Sequence, residues 1–172
     1  MEEFDVALYF DTESTKRIKS FTANFTNDKI NFHADRPHIT LGILNSDENF
    51  VRQRVEAIST SDFSISVTFP TFGFFPGPNQ SVALFATPTE SLLKLHRKVV
   101  LEANSLTVSK YYQPNSWMPH CTLISDTSAG SFALNDLNSI KEIIPLYAKI
   151  ESIVIIRWTP LPTKLWERSS QG

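Results

Sequence analysis

Apolar positions in this chain fall into short runs of two kinds: some alternate with polar residues at a period of two, others recur at helical spacing. Val6 to Phe10 is an apolar run and reads as a first strand. Asp11 or Thr12 can cap a following helix, with Ile18, Phe21 and Phe25 on one face. Asn24 to Asp35 is polar and irregular and reads as a loop. His38 to Leu44 reads as a strand, and Ser46 or Asp47 opens a second helix with Phe50, Val51, Val55 and Ile58 on one face. Phe63 to Phe69 alternates strictly, the mark of a half-buried strand. Phe72 to Asn79 is aromatic and rich in Gly and Pro, which predicts a loop, and Ser81 to Ala86 predicts another strand.

Thr87-Pro88-Thr89-Glu90 carries a full helix-start signal. Thr87 serves as N-cap, Pro88 takes the first helical position and Glu90 closes a capping box, so a helix is expected to about Asn104. Lys110 to Met118 is an aromatic, polar approach to a further strand. Ser131 to Ile144 predicts a fourth helix, stopped by Pro145. Ile150 to Trp158 is a β-branched strand, Thr159 to Pro162 turns it, and Lys164 to Glu167 can pair back. Strands and helices mix and several strand connections are short, which predicts an α+β fold with antiparallel sheets. No linker interrupts the chain, so residues 1–172 are expected to form one bilobal domain.

Within that frame one pattern stands apart. Pro37-His38-Ile39-Thr40-Leu41 returns as Pro119-His120-Cys121-Thr122-Leu123, once in each half. Side chains two apart on a strand share a face. His38 and Thr40 therefore point one way and Ile39 and Leu41 the other; His120 and Thr122 likewise oppose Cys121 and Leu123. The apolar pair can anchor each strand while the polar pair lines a groove. Pro37 and Pro119 precede the strands, where a missing N–H is tolerated.

A single His-x-Thr on a strand is ordinary surface decoration. The same five-residue frame once per half points to two histidines facing one another. Free histidine titrates near 6.5, so close to neutrality one ring can be neutral and the other charged. The neutral ring can take a proton from attacking water, and the charged ring can give one to a departing oxygen. The threonine hydroxyls can donate to phosphate oxygens.

Bulk properties narrow the partners. The chain has 172 residues, 41% hydrophobic and 20% charged, with net charge −2 and a pI of about 6.1. That excludes the strongly basic surface that wraps double-stranded DNA, while leaving room for a local phosphate pocket. Cys121 is the one cysteine, so no internal disulfide can form, and it is expected to be a packed apolar residue. The acidic start and the lack of a long apolar run predict a cytoplasmic protein without a membrane span. His96 falls beside the apolar stripe of its helix and is expected in the core. His33 and Asp35 lie near His38, but no further ligand completes a metal site, and no metal or cofactor is expected. Arg36 can help hold a phosphate if the strand extends through Pro37. Phe75 and Tyr112 are the best candidates for a ring on which a base stacks.

The paired His-x-Thr strands resemble those of the two-histidine (2H) phosphoesterase superfamily, which includes 2'-5' RNA ligase-like proteins and 2',3'-cyclic nucleotide phosphodiesterases. The resemblance covers nearly the whole chain. It implies a pseudo-two-fold, bilobal arrangement with outer helices and both motif strands in a central cleft. It also implies opening or cleavage of a phosphodiester at a ribose 2'-oxygen without a metal. The substrates it implies are 2',3'-cyclic phosphates on nucleotides or RNA ends, ADP-ribose cyclic phosphate, and 2'-5' linkages. His38 and His120 match the catalytic histidines, and Thr40 and Thr122 the hydroxyls that grip phosphate. Two readings follow: a monomeric phosphodiesterase, or a module that binds RNA ends or nucleotide phosphates without turnover.

Overall fold

The computed structural model describes residues 2–22, 31–32, 36–58, 65–75, 80–101, 110–127, 144–158 and 161–169. In chain order they form β1 (Glu2–Phe10), α1 (Thr12–Thr22), β2 (Asn31–Phe32), β3 (His38–Ser46), α2 (Glu48–Ile58), β4 (Ser66–Phe69), β5 (Thr71–Phe75) and β6 (Gln80–Phe85). There follow α3 (Glu90–Leu101), a 3-10 turn at Lys110–Tyr112, β7 (His120–Thr127), β8 (Leu146–Arg157) and β9 (Thr163–Ser169). The fold is α+β, and every strand pairing among the described residues is antiparallel. One sheet has the order β3-β1-β8-β4, with β9 also on β8. The other has the order β2-β7-β6-β5. Each sheet thus owns one motif strand, β3 or β7.

Local chemistry sets the helix starts. Asp11 accepts the Ser14 backbone N–H at 2.8 Å, Asp47 that of Phe50 at 2.9 Å, and Thr89 that of Leu92 at 3.3 Å. Each cap satisfies one of the N–H groups that a first helical turn leaves without a partner. The third cap lies two residues beyond the expected Thr87. The Thr87 N–H instead donates to the Thr68 carbonyl at 2.8 Å, tying the strand exit to β4. Glu90 then begins α3 and pairs with Lys94.

Both faces of β1 are covered, and they differ. Phe4, Val6, Leu8 and Phe10 enter the main core, joined there by Ile39 and Leu41 of β3, Val51 and Val55 of α2, and Cys121 and Leu123 of β7. That one cluster draws on both sheets. Ala7 and Tyr9, on the other face, form a small cluster with Val154, Ile156 and Trp158. Asp5 shares this second face by alternation.

Several expectations are revised. Thr71–Phe75 is strand β5, not loop: its pairing with β6 outweighs its glycine. Asn31–Phe32, expected within a loop, pairs with β7. Phe50 is 37% exposed, so the buried face of α2 is carried by Val51, Val55 and Ile58. Helix α1 ends at Thr22, and Phe25 lies outside the described residues. So do Ser131 to Ile143 of the expected fourth helix, His33 and Asp35, and the expected continuation of α3 to Asn104.

Candidate active site

The two motif strands meet. Strand β3 packs against β7, and the buried Cys121 thiol lies against the His38 backbone. Burial pushes that thiol up to about 12, which removes it as a nucleophile near neutrality. The Trp117 indole, three residues before His120, donates to the Thr40 carbonyl at 3.1 Å and fastens one motif strand to the approach of the other. Ile39, Leu41, Cys121 and Leu123 are buried as strand alternation requires, and His38, Thr40, His120 and Thr122 take the opposite faces.

Both histidines are held alike. His38 Nδ1 lies 3.0 Å from the carbonyl of Arg36, and His120 Nδ1 lies 2.7 Å from the carbonyl of Met118. A carbonyl only accepts, so each ring carries its proton on Nδ1 when neutral. Nε2 is then the nitrogen that exchanges a proton with anything bound. In each motif the residue two before the histidine sets this tautomer through its backbone, so the constraint belongs to the motif itself.

Around these matched rings the surroundings diverge. Asp5, only 2% exposed, sits beneath the first motif. Its Oδ2 accepts the Thr40 hydroxyl at 3.0 Å and the Trp158 indole N–H at 3.3 Å, and lies 3.8 Å from His38 Nε2. Burial raises the Asp5 pKa, against the pull of the His38 charge and of the two donors. Tyr9 and Trp158 flank the His38 ring, each at a centroid distance of 6.2 Å. The Tyr112 phenol lies near the Thr40 side chain and is pushed up to about 12, first by burial and next by the Asp5 charge. The Tyr112 carbonyl in turn accepts from His96 Nε2 at 2.9 Å, and the His96 ring stacks on Trp117 at 3.9 Å. His96 is fully buried, as expected for a core histidine.

The second motif has an aromatic wall. Phe75 packs on His120 at 4.7 Å and on Phe85 at 5.3 Å, and Phe85 lies 6.1 Å from His120. Gly73 makes this nest fit. A Cβ there would come within 2.8 Å of the Phe85 ring, inside any real contact distance. Burial lowers the His120 pKa, the charge of His38 lowers it further, and the Met118 hydrogen bond pushes the other way. The two imidazoles therefore share one electrostatic neighbourhood.

Of the expected substrate contacts, Phe75 stands beside His120 and Tyr112 beside Thr40. Arg36 is otherwise occupied. Its guanidinium lies 2.8 Å from Glu151 and 3.6 Å from Glu167, and 4.5 Å above the Tyr9 ring. What Arg36 brings to the motif is its carbonyl. Asp5, Trp158, Phe85 and Gly73 escaped the sequence reading. Asp5 had a signal: it is the one acid in Phe4-Asp5-Val6-Ala7-Leu8-Tyr9-Phe10, on the face opposite the large apolar residues. Among the described residues no group of three or more His, Cys, Asp or Glu side chains is placed to hold a metal ion.

Residues 10–160 match the family model of the 2'-5' RNA ligase superfamily. The chain belongs to this superfamily, that of the two-histidine phosphoesterases. Its fold is similar to that of E. coli LigT in complex with 3'-AMP, with a TM-score of 0.70 at 14% identity over 99% of both chains. It is similar also to TT0787 of Thermus thermophilus, with a TM-score of 0.69 at 15% identity over 99% of this chain and 98% of that one. Usb1 of Kluyveromyces marxianus shares the fold more distantly, with a TM-score of 0.54 at 10% identity over 95% and 97% of the two chains. No curated protein matches the chain. No described helix of this superfamily member is long and apolar enough to cross a membrane.

Proposed function

We propose that this superfamily member is a monomeric phosphodiesterase, one bilobal domain, that opens 2',3'-cyclic phosphates on nucleotides or RNA ends, or cleaves 2'-5' bonds. His38 and His120 act as the acid/base pair. One neutral imidazole takes a proton from water as the water oxygen attacks phosphorus. The bond from phosphorus to a ribose oxygen breaks, and the other, charged imidazole gives that oxygen its proton. For a 2',3'-cyclic phosphate the product is a ribose phosphomonoester. Proton transfer by two side chains needs no metal, so the reaction runs in chelator.

The observation that carries this reading is the matched Nδ1 anchoring of both rings, which presents two Nε2 atoms from adjoining strands. LigT was crystallised with 3'-AMP and with phosphate, which fits a site built for nucleotide phosphates. The test is a panel of 2',3'-cyclic nucleotides, RNA ends bearing cyclic phosphate and 2'-5' dinucleotides, assayed in EDTA across pH. Turnover should follow a bell-shaped profile, and His38→Ala and His120→Ala should each lose about 10²- to 10⁴-fold. A fully active His120→Ala protein ends the mechanism. Tight binding with no product at high protein concentration would make the chain a binding module.

A further inference from the structure

Resting on that reading, we infer that Asp5 is a positioning residue that pairs with His38 alone, and so makes His38 the general acid and leaves His120 as the base. The matched anchoring at Nδ1 gives the two histidines no reason to differ. The difference comes from β1, which passes beneath the first motif only. Asp5 Oδ2 lies 3.8 Å from His38 Nε2, inside the range at which an opposite charge favours the protonated ring, and beyond a true hydrogen bond. At that distance the carboxylate faces the ring as an ion-pair partner without fixing it by a hydrogen bond. Thr40 and Trp158 both donate to that same oxygen, which aims its negative charge at the ring. Asp5 Oδ1 is buried with no hydrogen-bond partner, so a proton placed there would find no acceptor. Burial raises the Asp5 pKa, and the His38 charge and the Thr40 and Trp158 donors oppose that rise.

Among the described residues the groups facing His38 include Asp5 and Tyr9 of β1, Trp158 beyond β8 and His120 of β7. Arg36, on its own segment, lies over the Tyr9 ring and is neutralised by Glu151 and Glu167. Asp5 is thus the nearest anion to His38 in this set. His120 faces Phe75 and Phe85, and burial together with the His38 charge favours its neutral form. One ring faces a carboxylate and the other an aromatic wall. In the step itself, His120 Nε2 takes the proton of attacking water, the bond from phosphorus to the ribose oxygen breaks, and His38 Nε2 protonates that oxygen.

The test compares pH profiles and leaving groups. Asp5→Asn keeps shape and acceptor and removes the charge. The alkaline limb of its kcat profile, which reports loss of the acid's proton, should move down by about one to three pH units, with the acidic limb in place. A movement of the acidic limb alone, or of neither, overturns the inference. With a nitrophenyl phosphodiester, whose leaving group departs without a proton, His38→Ala should regain most of its lost rate and His120→Ala should not. The reverse pattern overturns the inference without any change at Asp5. Should Asp5→Asn fail to fold, the ring NMR titration of the unaltered protein decides: His38 must keep its proton to higher pH than His120. If the unaltered protein turns over neither substrate, the phosphodiesterase reading has failed. If it turns both over and Asp5→Asn leaves the alkaline limb unmoved, only the role of Asp5 has failed.

Discussion

The two copies of Pro-His-x-Thr-Leu are alike in their own anchoring and opposite in their company. Each histidine donates from Nδ1 to the carbonyl two residues back, and each buries its intervening residue in a common core. Yet the first copy rests on a buried acid, an indole and a phenol, while the second rests on two phenylalanines made to fit by a glycine. A five-residue motif therefore fixes the tautomer and direction of its histidine, which are local matters of hydrogen bonding. It does not fix proton affinity, which comes from whatever other strands place against the ring. Two matching motifs can hold their histidines in unlike electrostatic surroundings because their neighbours differ.

The sharpest way to break this comparison lies in the threonines. The Thr40 hydroxyl spends its proton on Asp5, whereas Thr122 shares a strand face with His120 and has no such acid beneath it among the described contacts. Thr122→Val should lower kcat by about 10²- to 10³-fold, the usual loss of one donor to developing charge. Thr40→Val should cost roughly tenfold, the worth of one ordinary hydrogen bond. Steady-state kinetics on a cyclic phosphate substrate measure both. Equal losses would mean that the motifs grip phosphate symmetrically.

A smaller effect sharpens the same contrast in stability. Trp117 belongs to the approach of the second motif, yet its indole N–H serves the first through the Thr40 carbonyl. Trp117→Phe keeps a ring against His96 and leaves that carbonyl short of a donor, at a cost of about 1–3 kcal/mol in urea denaturation. Gly73→Ala acts on the second motif alone, driving a methyl into the Phe85 ring and through it into Phe75 and His120. Roughly 1 kcal/mol of stability should be lost, with the acidic limb of the pH profile disturbed and the alkaline limb unmoved. An alkaline shift in Gly73→Ala would show that the two halves do not hold their protons separately.

How legible was this site in the sequence? The motif strands were, because alternation at a period of two forces Ile39, Leu41, Cys121 and Leu123 inward once the strand is assigned. The cap at Asp11 and the core placement of His96 follow from equally local rules. Asp5 was not legible: it touches His38 only because β1 pairs with β3, and the bulge between Val6 and Ala7 sets which residues face the motif. The strand at Thr71–Phe75 was hidden by composition, since Gly73 and the Pro residues beyond it signal a loop, while its strand character comes from pairing with β6. Arg36 is the instructive case. Charge and position suggested a phosphate contact, but Glu151 and Glu167 come from strands more than a hundred residues away and claim the guanidinium. Contacts between distant segments account for each of these departures.

The smallest effect concerns His96, which supports the first motif by holding the Tyr112 carbonyl and stacking on Trp117. Burial lowers its pKa, with the hydrogen bond to Tyr112 opposing, and its Nδ1 is buried with no hydrogen-bond partner. The folded protein thus disfavours the charged ring, whereas the unfolded chain takes up a proton near the ordinary pKa of about 6.5. More protons bound by the unfolded state means that stability falls as pH drops below that value. His120, lowered in the same direction, adds to the slope. Asp5, raised by burial, has the opposite sign, because the folded state then holds a proton that the unfolded chain has released. His96→Gln can keep a donor to the Tyr112 carbonyl and cannot take up a proton. Urea midpoints at about pH 7.5 and 5.5, on either side of the ordinary histidine pKa, should therefore differ less in His96→Gln than in the unaltered protein. The slope that remains reports His120 against Asp5. An unchanged slope would place the acid sensitivity in the second motif, where burial and the His38 charge both lower the His120 pKa.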